Sequence, residues 1–264
     1  MNRAAIDRFG NIFAFGLTVA VNAMATSIPL GGQTPPEISA RYPSLFTPAG
    51  FTFSIWGIIY LGLFLFVIYQ ALPGQRNNAA LAKIDTPFKI NCLANAAWIL
   101  AWHYDFLVLS VLIMLVILAS LVVIYRRFDR KQATTSLADR MLVQLPFRLY
   151  TAWITVATIA NISTVQNAMG FDNVGTDAVT WTLLKLGLAG AVGATIAVRK
   201  ADAAFILVIA WAAYGISVKQ AATPAVAGAA EMLFLLAIIL ALVVTGYRLL
   251  ELANRRLKAP SDST

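Results

Sequence analysis

Residues 46–70 read FTPAGFTFSIWGIIYLGLFLFVIYQ. A Thr-Pro-Ala-Gly turn opens the segment, and no charged side chain occurs from residue 51 to residue 72. At ~1.5 Å rise per residue, a helix over this run crosses the ~30 Å hydrocarbon core of a bilayer. Phe53, Trp56 and Tyr60 stand at i, i+3 and i+7 and so share one helix face. A helix that meets only lipid needs no such aromatic stripe. The spacing therefore predicts that this face forms one wall of an internal pocket.

Outward from this segment, the chain reads as a membrane protein throughout. Of its 264 residues, 59% are hydrophobic and 12% charged, too few polar side chains to cover a soluble surface. Apolar runs predict eight spans, over residues 12–28, 51–72, 88–102, 106–125, 146–169, 179–198, 203–218 and 226–247. The fold class is thus an all-α polytopic membrane protein. Ala23-Met24-Ala25 after a basic start also has the form of a signal-peptidase site, but the apolar run is long for a signal and the next loop is short. That loop, 31–46, carries Pro35, Pro36 and Pro43 with Tyr42 and Phe46. It reads either as a proline-stiffened lid or as a solvated connector. Pro146 suits the first turn of the fifth helix. The tail from 251 is basic, then polar, and is expected to be disordered.

The net charge of +8 would point to nucleic acid in a soluble protein. Its distribution points elsewhere. All Lys and Arg residues except Arg41, Lys185 and Lys219 fall on the termini and on the loops of that same side. The positive-inside rule then sets both termini in the cytoplasm of an inner, plasma membrane. Anionic lipid becomes a natural contact, and nucleic acid has no role. Cys92 is the sole cysteine, which excludes an internal disulfide and a thiolate metal site.

Two further faces carry aromatic and polar residues together. Asn95, Trp98 and Trp102 share one face of the third helix, and Trp153, Ala157, Ala160 and Asn161 share one face of the fifth. An asparagine in hydrocarbon is costly without a partner, so Asn95 and Asn161 are expected to face the bundle interior. There they either bond to neighbouring helices or meet a ligand. Trp102 reads as an interface anchor, and so do Tyr125 and Arg126. Trp56, Trp98 and Trp153 lie deeper and offer flat stacking surface.

These segments resemble a family. Residues 46–62 read F-T-P-A-G-F-x-F-S-x-W-x-I-I-Y-x-G, residues 95–98 N-A-A-W, and residues 153–161 W-I-T-V-A-T-I-A-N. In order and spacing they are similar to the second, third and fifth helices of the tryptophan-rich sensory proteins, TspO and its translocator relatives. The resemblance covers residues 11–169. It implies a five-helix bundle with a pocket beneath the first loop, which in the family takes porphyrins and, in animal members, sterols. Carried over by position, the implied pocket is Phe46, Pro48, Phe51, Trp56, Tyr60, Asn95, Trp98, Trp153 and Asn161. This chain has Phe46 and Phe51 where the family has Trp, Ala49 where it has a second Pro, and no Trp in the fourth helix. The domain expectation is a TspO-like bundle over 1–169, three added membrane helices over 170–250 and a tail over 251–264. No cofactor is required by this reading, and a bound porphyrin or haem is an optional occupant.

Charges inside the added helices suggest a second reading. Lys185 and Glu231 lie at matching depth, roughly 8–10 Å from the outer ends of their helices at helical rise. Opposite sign and equal depth predict an intramembrane ion pair, with Lys219 as a rival partner. Such a pair serves either as a lock or as a coupling site in a transporter. His103, the sole histidine, reads as an outward polar residue or an axial haem ligand. Gly187, Gly190 and Gly193 allow tight helix packing inside the chain, or a homodimer. Three functions follow: a sensor or carrier of a hydrophobic planar ligand, a secondary transporter, and, with no nucleophile–base pair or metal spacing to support it, an enzyme.

Overall fold

A computed structural model describes residues 3–28, 32–33, 37–38, 41–128 and 136–258. Pro35 and Pro36 of the first loop, and Arg130 and Lys131 of the longest basic stretch, lie outside the described residues. Eight long helices run in order: α1 (Ala5–Ser27), α2 (Ile55–Ala71), α3 (Ala79–His103), α4 (Leu107–Arg127), α5 (Leu145–Ala168), α6 (Ala178–Lys200), α7 (Ala203–Lys219) and α8 (Pro224–Lys258). No strand occurs among the described residues. Successive helices alternate in direction, so the described ends of the chain, Arg3 and Lys258, lie toward one end of the bundle and residues 41–49 of the first loop toward the other.

Several helix boundaries differ from the sequence reading, each for a local reason. The aromatic stretch does not start as α-helix. Gly50–Ser54 forms a 3₁₀ turn, and α2 begins at Ile55. α3 starts at Ala79 rather than near residue 88, because Asn78 caps it, accepting from the Ala80 and Leu81 amides. Pro87 therefore falls inside α3. Proline has no N–H to give the carbonyl four residues back, and the Arg127 guanidinium donates to that carbonyl, Lys83 O, instead. Pro146 sits at the head of α5, where it cannot bond back to residue 142. A π turn, Arg140–Gln144, accommodates the break. α8 continues through Lys258, so the tail expected to be disordered is helical to that point.

Five helical segments are long and apolar enough to span a membrane: Ala5–Ser27, Gly50–Ala71, Leu107–Arg127, Ala178–Lys200 and Pro224–Glu251. The chain is an integral membrane protein. The other three helices are the interior ones. In α3, α5 and α7 about half or more of the residues are buried, against about a quarter in α1, α4 and α6. Polar side chains on α3 and α5 are tolerable because they face neighbouring helices and not lipid. α1, α3, α4, α5 and α2 form a ring, α6 and α8 flank α7, and α7 packs against α5. Hydrophobic core runs through all eight, from Ala14 on α1 to Val244 on α8. Near the terminal end it is anchored by Phe66, Phe88 and Phe147, edge to face at 5.0–5.7 Å.

Glycines of α6 serve this internal packing. A β-carbon on Gly190 would come within 2.8 Å of Leu233 on α8, and one on Gly193 within 2.8 Å of Ile206 on α7. At the terminal end, buried Asp202 caps α7 through Phe205 N. It also accepts from Tyr125 OH at 2.6 Å and lies 3.4 Å from Arg148 Nε. Tyr125 is thus a link between α4 and α7 and not the free interface anchor its position suggests. At the loop end, Asp177 caps α6, and bonds from Thr180 hold its carboxyl below the usual carboxylate range.

Candidate functional site

The aromatic stripe of α2 turns toward α5. Trp56 stacks on Tyr60 with ring centres 5.4 Å apart, and meets Tyr150 edge-on at 5.7 Å and Trp153 at 6.3 Å. Phe53, on the 3₁₀ turn, meets Trp153 edge-on at 5.8 Å. Four rings, from α2, α5 and the 3₁₀ turn before α2, thus surround Trp56 or touch its neighbour. Trp153 and Tyr150 are buried, Trp56 and Tyr60 are half-buried, and Phe53 is 41% exposed. Two surface hollows lie elsewhere, one between α1 and α2 near Pro73 and one between α3 and α4 near Pro87. A ligand at the aromatic cluster would therefore meet the exposed edges of Phe53, Trp56 and Tyr60, approached from the side.

Polar groups behind the rings are of two kinds. Asn95 is engaged on both polar atoms: it accepts from Asn22 Nδ2 and donates to Tyr150 OH, each at 2.9 Å. This chain joins α1, α3 and α5. By contrast, the indole N–H of Trp153 is buried and has no partner. The Tyr60 hydroxyl is also buried and makes no hydrogen bond of normal geometry. Asn95 lies beside it. A buried donor left unpaired costs about 1–3 kcal/mol, so these two atoms mark where a polar atom of a ligand would be accepted.

The nine implied pocket residues fall into three groups. Trp56, Tyr60, Trp153 and Asn95 belong to the cluster just described. Trp98 and Asn161 form a second group: Trp98 Nε1 donates to Asn161 Oδ1 at 3.0 Å, and Asn161 Nδ2 donates to Ser110 Oγ at 3.0 Å. Trp102, expected at the interface, is buried and stacks on Trp98 at 5.5 Å. His103 is buried as well and is not the outward residue expected. Its Nδ1–H donates to Ile99 O at 2.8 Å, leaving Nε2 unpaired.

Phe46, Pro48 and Phe51 belong to the third group, where the first loop meets α7. Phe46 and Pro48 are buried. Phe51 turns away from Trp56 and contacts Trp211 at 5.5 Å and Tyr214 at 5.8 Å. Trp211 Nε1 donates to Thr52 O at 2.9 Å, and Ala49 N donates to Gly215 O at 2.9 Å. The loop end is further tied by Arg41, which donates to both oxygens of Asp105 at 2.6 and 2.8 Å. That exposed pair holds the first loop to the α3–α4 corner.

The expected Lys185–Glu231 ion pair is not formed. Lys185 Nζ donates to Gln166 Oε1 at 2.6 Å and lies 6.0 Å from the Trp181 ring centre. An amide oxygen satisfies the ammonium without a second buried charge. The buried face of α8 is Val226, Ala230, Ala237, Ala241 and Val244, and the residue next to Ala230 points outward, so Glu231 is exposed. Lys219 is in no ion pair among the described residues either. Glu231→Gln is accordingly expected to change thermal stability by no more than ~0.5 kcal/mol. Unfolding followed in detergent checks this, and a loss of several kcal/mol would restore the pair.

Sequence reasoning missed Tyr150, Asn22, Trp211 and Thr52. Tyr150 stands at i−3 from Trp153 and was visible as part of the same face. Asn22 was visible as a polar residue within the first span. Trp211 and Thr52 carried no such signal, since only tertiary packing brings α7 to the first loop. Among the described residues no group of His, Cys, Asp and Glu is placed to hold a metal ion.

Comparison with known families gives a match over residues 8–247 to the family described as TSPO-like protein. The match passes beyond the five helices that carry the sequence motifs and includes α6, α7 and most of α8. No curated protein and no solved structure matches the chain.

Proposed function

The chain belongs to the TSPO-like protein family, and on that premise we propose that it binds a planar hydrophobic molecule of the tetrapyrrole type, as a membrane sensor or carrier. One observation carries this reading: the unpaired Trp153 N–H and Tyr60 hydroxyl sit behind an aromatic wall whose outer edges are exposed. Apolar rings of the ligand would pack against the exposed edges of Phe53, Trp56 and Tyr60. A carboxylate or ring nitrogen of the ligand would take the two donors once the rings in front of them move aside. The added helices, held to the first loop through Trp211 and Gly215, fix the turn that presents Phe53 and Trp56.

Orientation follows from charge. Arg and Lys residues collect at the terminal end, so both termini belong in the cytoplasm, and an inner membrane is the setting we assign. The transporter reading keeps the eight helices but loses the Lys185–Glu231 pair as a coupling site.

The test is quenching of tryptophan fluorescence by protoporphyrin IX and by haem in the detergent-purified protein. Saturable micromolar quenching is expected, weakened about tenfold in Tyr60→Phe and Trp56→Phe, on the scale of one lost hydrogen bond or one stacked ring pair. Trp181→Phe, far from the cluster on α6, is expected to leave the affinity unchanged. Non-saturable quenching, or equal affinity in all variants, would overturn the assignment.

A further inference from the structure

The hollow between α3 and α4 has a different chemistry from the aromatic cluster. It holds about 680 Å³. Its rim at the terminal end carries Lys83, Thr86 and Arg127, and its wall continues along Ile90, Ala119 and Val116. Ile90 and Val116 are both 46% exposed, so the wall opens on the lipid-facing surface. No acidic side chain lines it. Lys83 and Arg127 enter no ion pair among the described residues.

The origin of the hollow is local. Pro87 interrupts the bonding of α3, and Arg127 leans across from the end of α4 to the Lys83 carbonyl that is left over. Two cationic side chains are thereby gathered at one level, the terminal end of the apolar span Leu107–Arg127. From Arg127 to Val116 along α4 is ~16 Å at 1.5 Å per residue, close to half of the ~30 Å hydrocarbon thickness. A groove with a doubly cationic rim and an apolar wall one leaflet deep fits a single amphiphile with an anionic head.

We infer that this groove is a binding site for one acidic phospholipid. The phosphodiester sits between Lys83, Arg127 and the Thr86 hydroxyl, and one acyl chain lies along Ile90, Ala119 and Val116. This is more than a diffuse attraction of a basic face for a charged membrane, because charge, hydroxyl and apolar wall converge at one place. It does not depend on what the aromatic cluster binds.

Native mass spectrometry of the full chain, released from detergent containing phosphatidylglycerol or phosphatidylcholine, tests the assignment. One phosphatidylglycerol per chain is expected to be retained, and phosphatidylcholine much less. Lys83→Gln with Arg127→Gln is expected to weaken retention about thirtyfold, as the loss of two interfacial cations implies. Arg76→Gln with Arg140→Gln removes the same charge from the same end, outside the groove, and is expected to leave retention unchanged. Ala119→Phe fills the groove with all charges intact and is expected to abolish it. Equal loss in both charge pairs, equal retention of the two lipids, or full retention in Ala119→Phe would each overturn the site.

Discussion

Gly215→Ala is expected to destabilise the protein by about 1–3 kcal/mol, the range for forcing an added carbon into a packed site. A β-carbon on Gly215 would overlap the Oγ1 of fully buried Thr52 and stand 3.0 Å from both its Cβ and Cγ2. Rotating the threonine side chain does not clear all three atoms, so the loop itself must move. The same contact includes the bonds Ala49 N to Gly215 O and Trp211 Nε1 to Thr52 O. Any shift therefore loosens the turn that carries Phe51, Phe53 and, one residue into α2, Trp56. Thermal unfolding in detergent measures the cost. Thr52→Ala is expected to relieve part of it in the double variant, a non-additivity that only direct contact produces. Additive effects of the two substitutions would argue that α7 and the loop do not meet here.

Asp85→Ala is expected to cost about 3–5 kcal/mol, the range for breaking a buried ion pair on one side. Arg3 is buried, although it lies near the start of the chain. Its Nε donates to Asp85 Oδ2 at 2.9 Å, Nη2 donates to Asp85 Oδ1, and Nη1 and Nη2 donate to Gln70 O and Oε1 at 3.0 and 2.7 Å. Asn11 Nδ2 also donates to Asp85 Oδ1, at 2.7 Å. Removing the carboxylate leaves the guanidinium buried with only Gln70 for a partner, and takes from Asn11 the shorter of its two bonds. The paired replacement Arg3→Met with Asp85→Leu removes both charges. It is expected to recover much of the loss, short of wild type, because Gln70 and Asn11 lose partners. The observable is the unfolding midpoint of the three variants side by side. An Asp85→Ala midpoint equal to wild type would mean that Arg3 is solvated and the network is not formed.

Neither site was apparent from the sequence, and the reason differs in each case. Asp85 lies before the predicted start of the third helix, in what reads as a basic loop, and nothing local announces that Asn78 begins the helix a full two turns earlier. Gly215 is one glycine in an apolar helix of a chain with many. Its importance depends on the approach of a loop more than 160 residues away in sequence. The failure of the Lys185–Glu231 pair has a similar cause. Depth along a helix can be counted from the sequence, but the rotation of that helix is set by which face its neighbours bury. On α8 that face is the Val226–Ala230–Ala237 stripe, and it turns Glu231 outward.

The sequence by itself determined the membrane class, the eight helices and the aromatic faces of α2, α3 and α5. Length, apolarity and helical periodicity are local properties, and they need no knowledge of neighbours. It also carried the motif order that the family match extends to residues 8–247. Only the tertiary structure decided which aromatic rings share one cluster, which asparagines are already satisfied, and which donors are left over. Those outcomes depend on helix rotation and on contacts between segments far apart in the chain. Packing settles them collectively, by burying the small and polar faces of α3, α5 and α7 against one another while the apolar faces of the outer helices meet lipid.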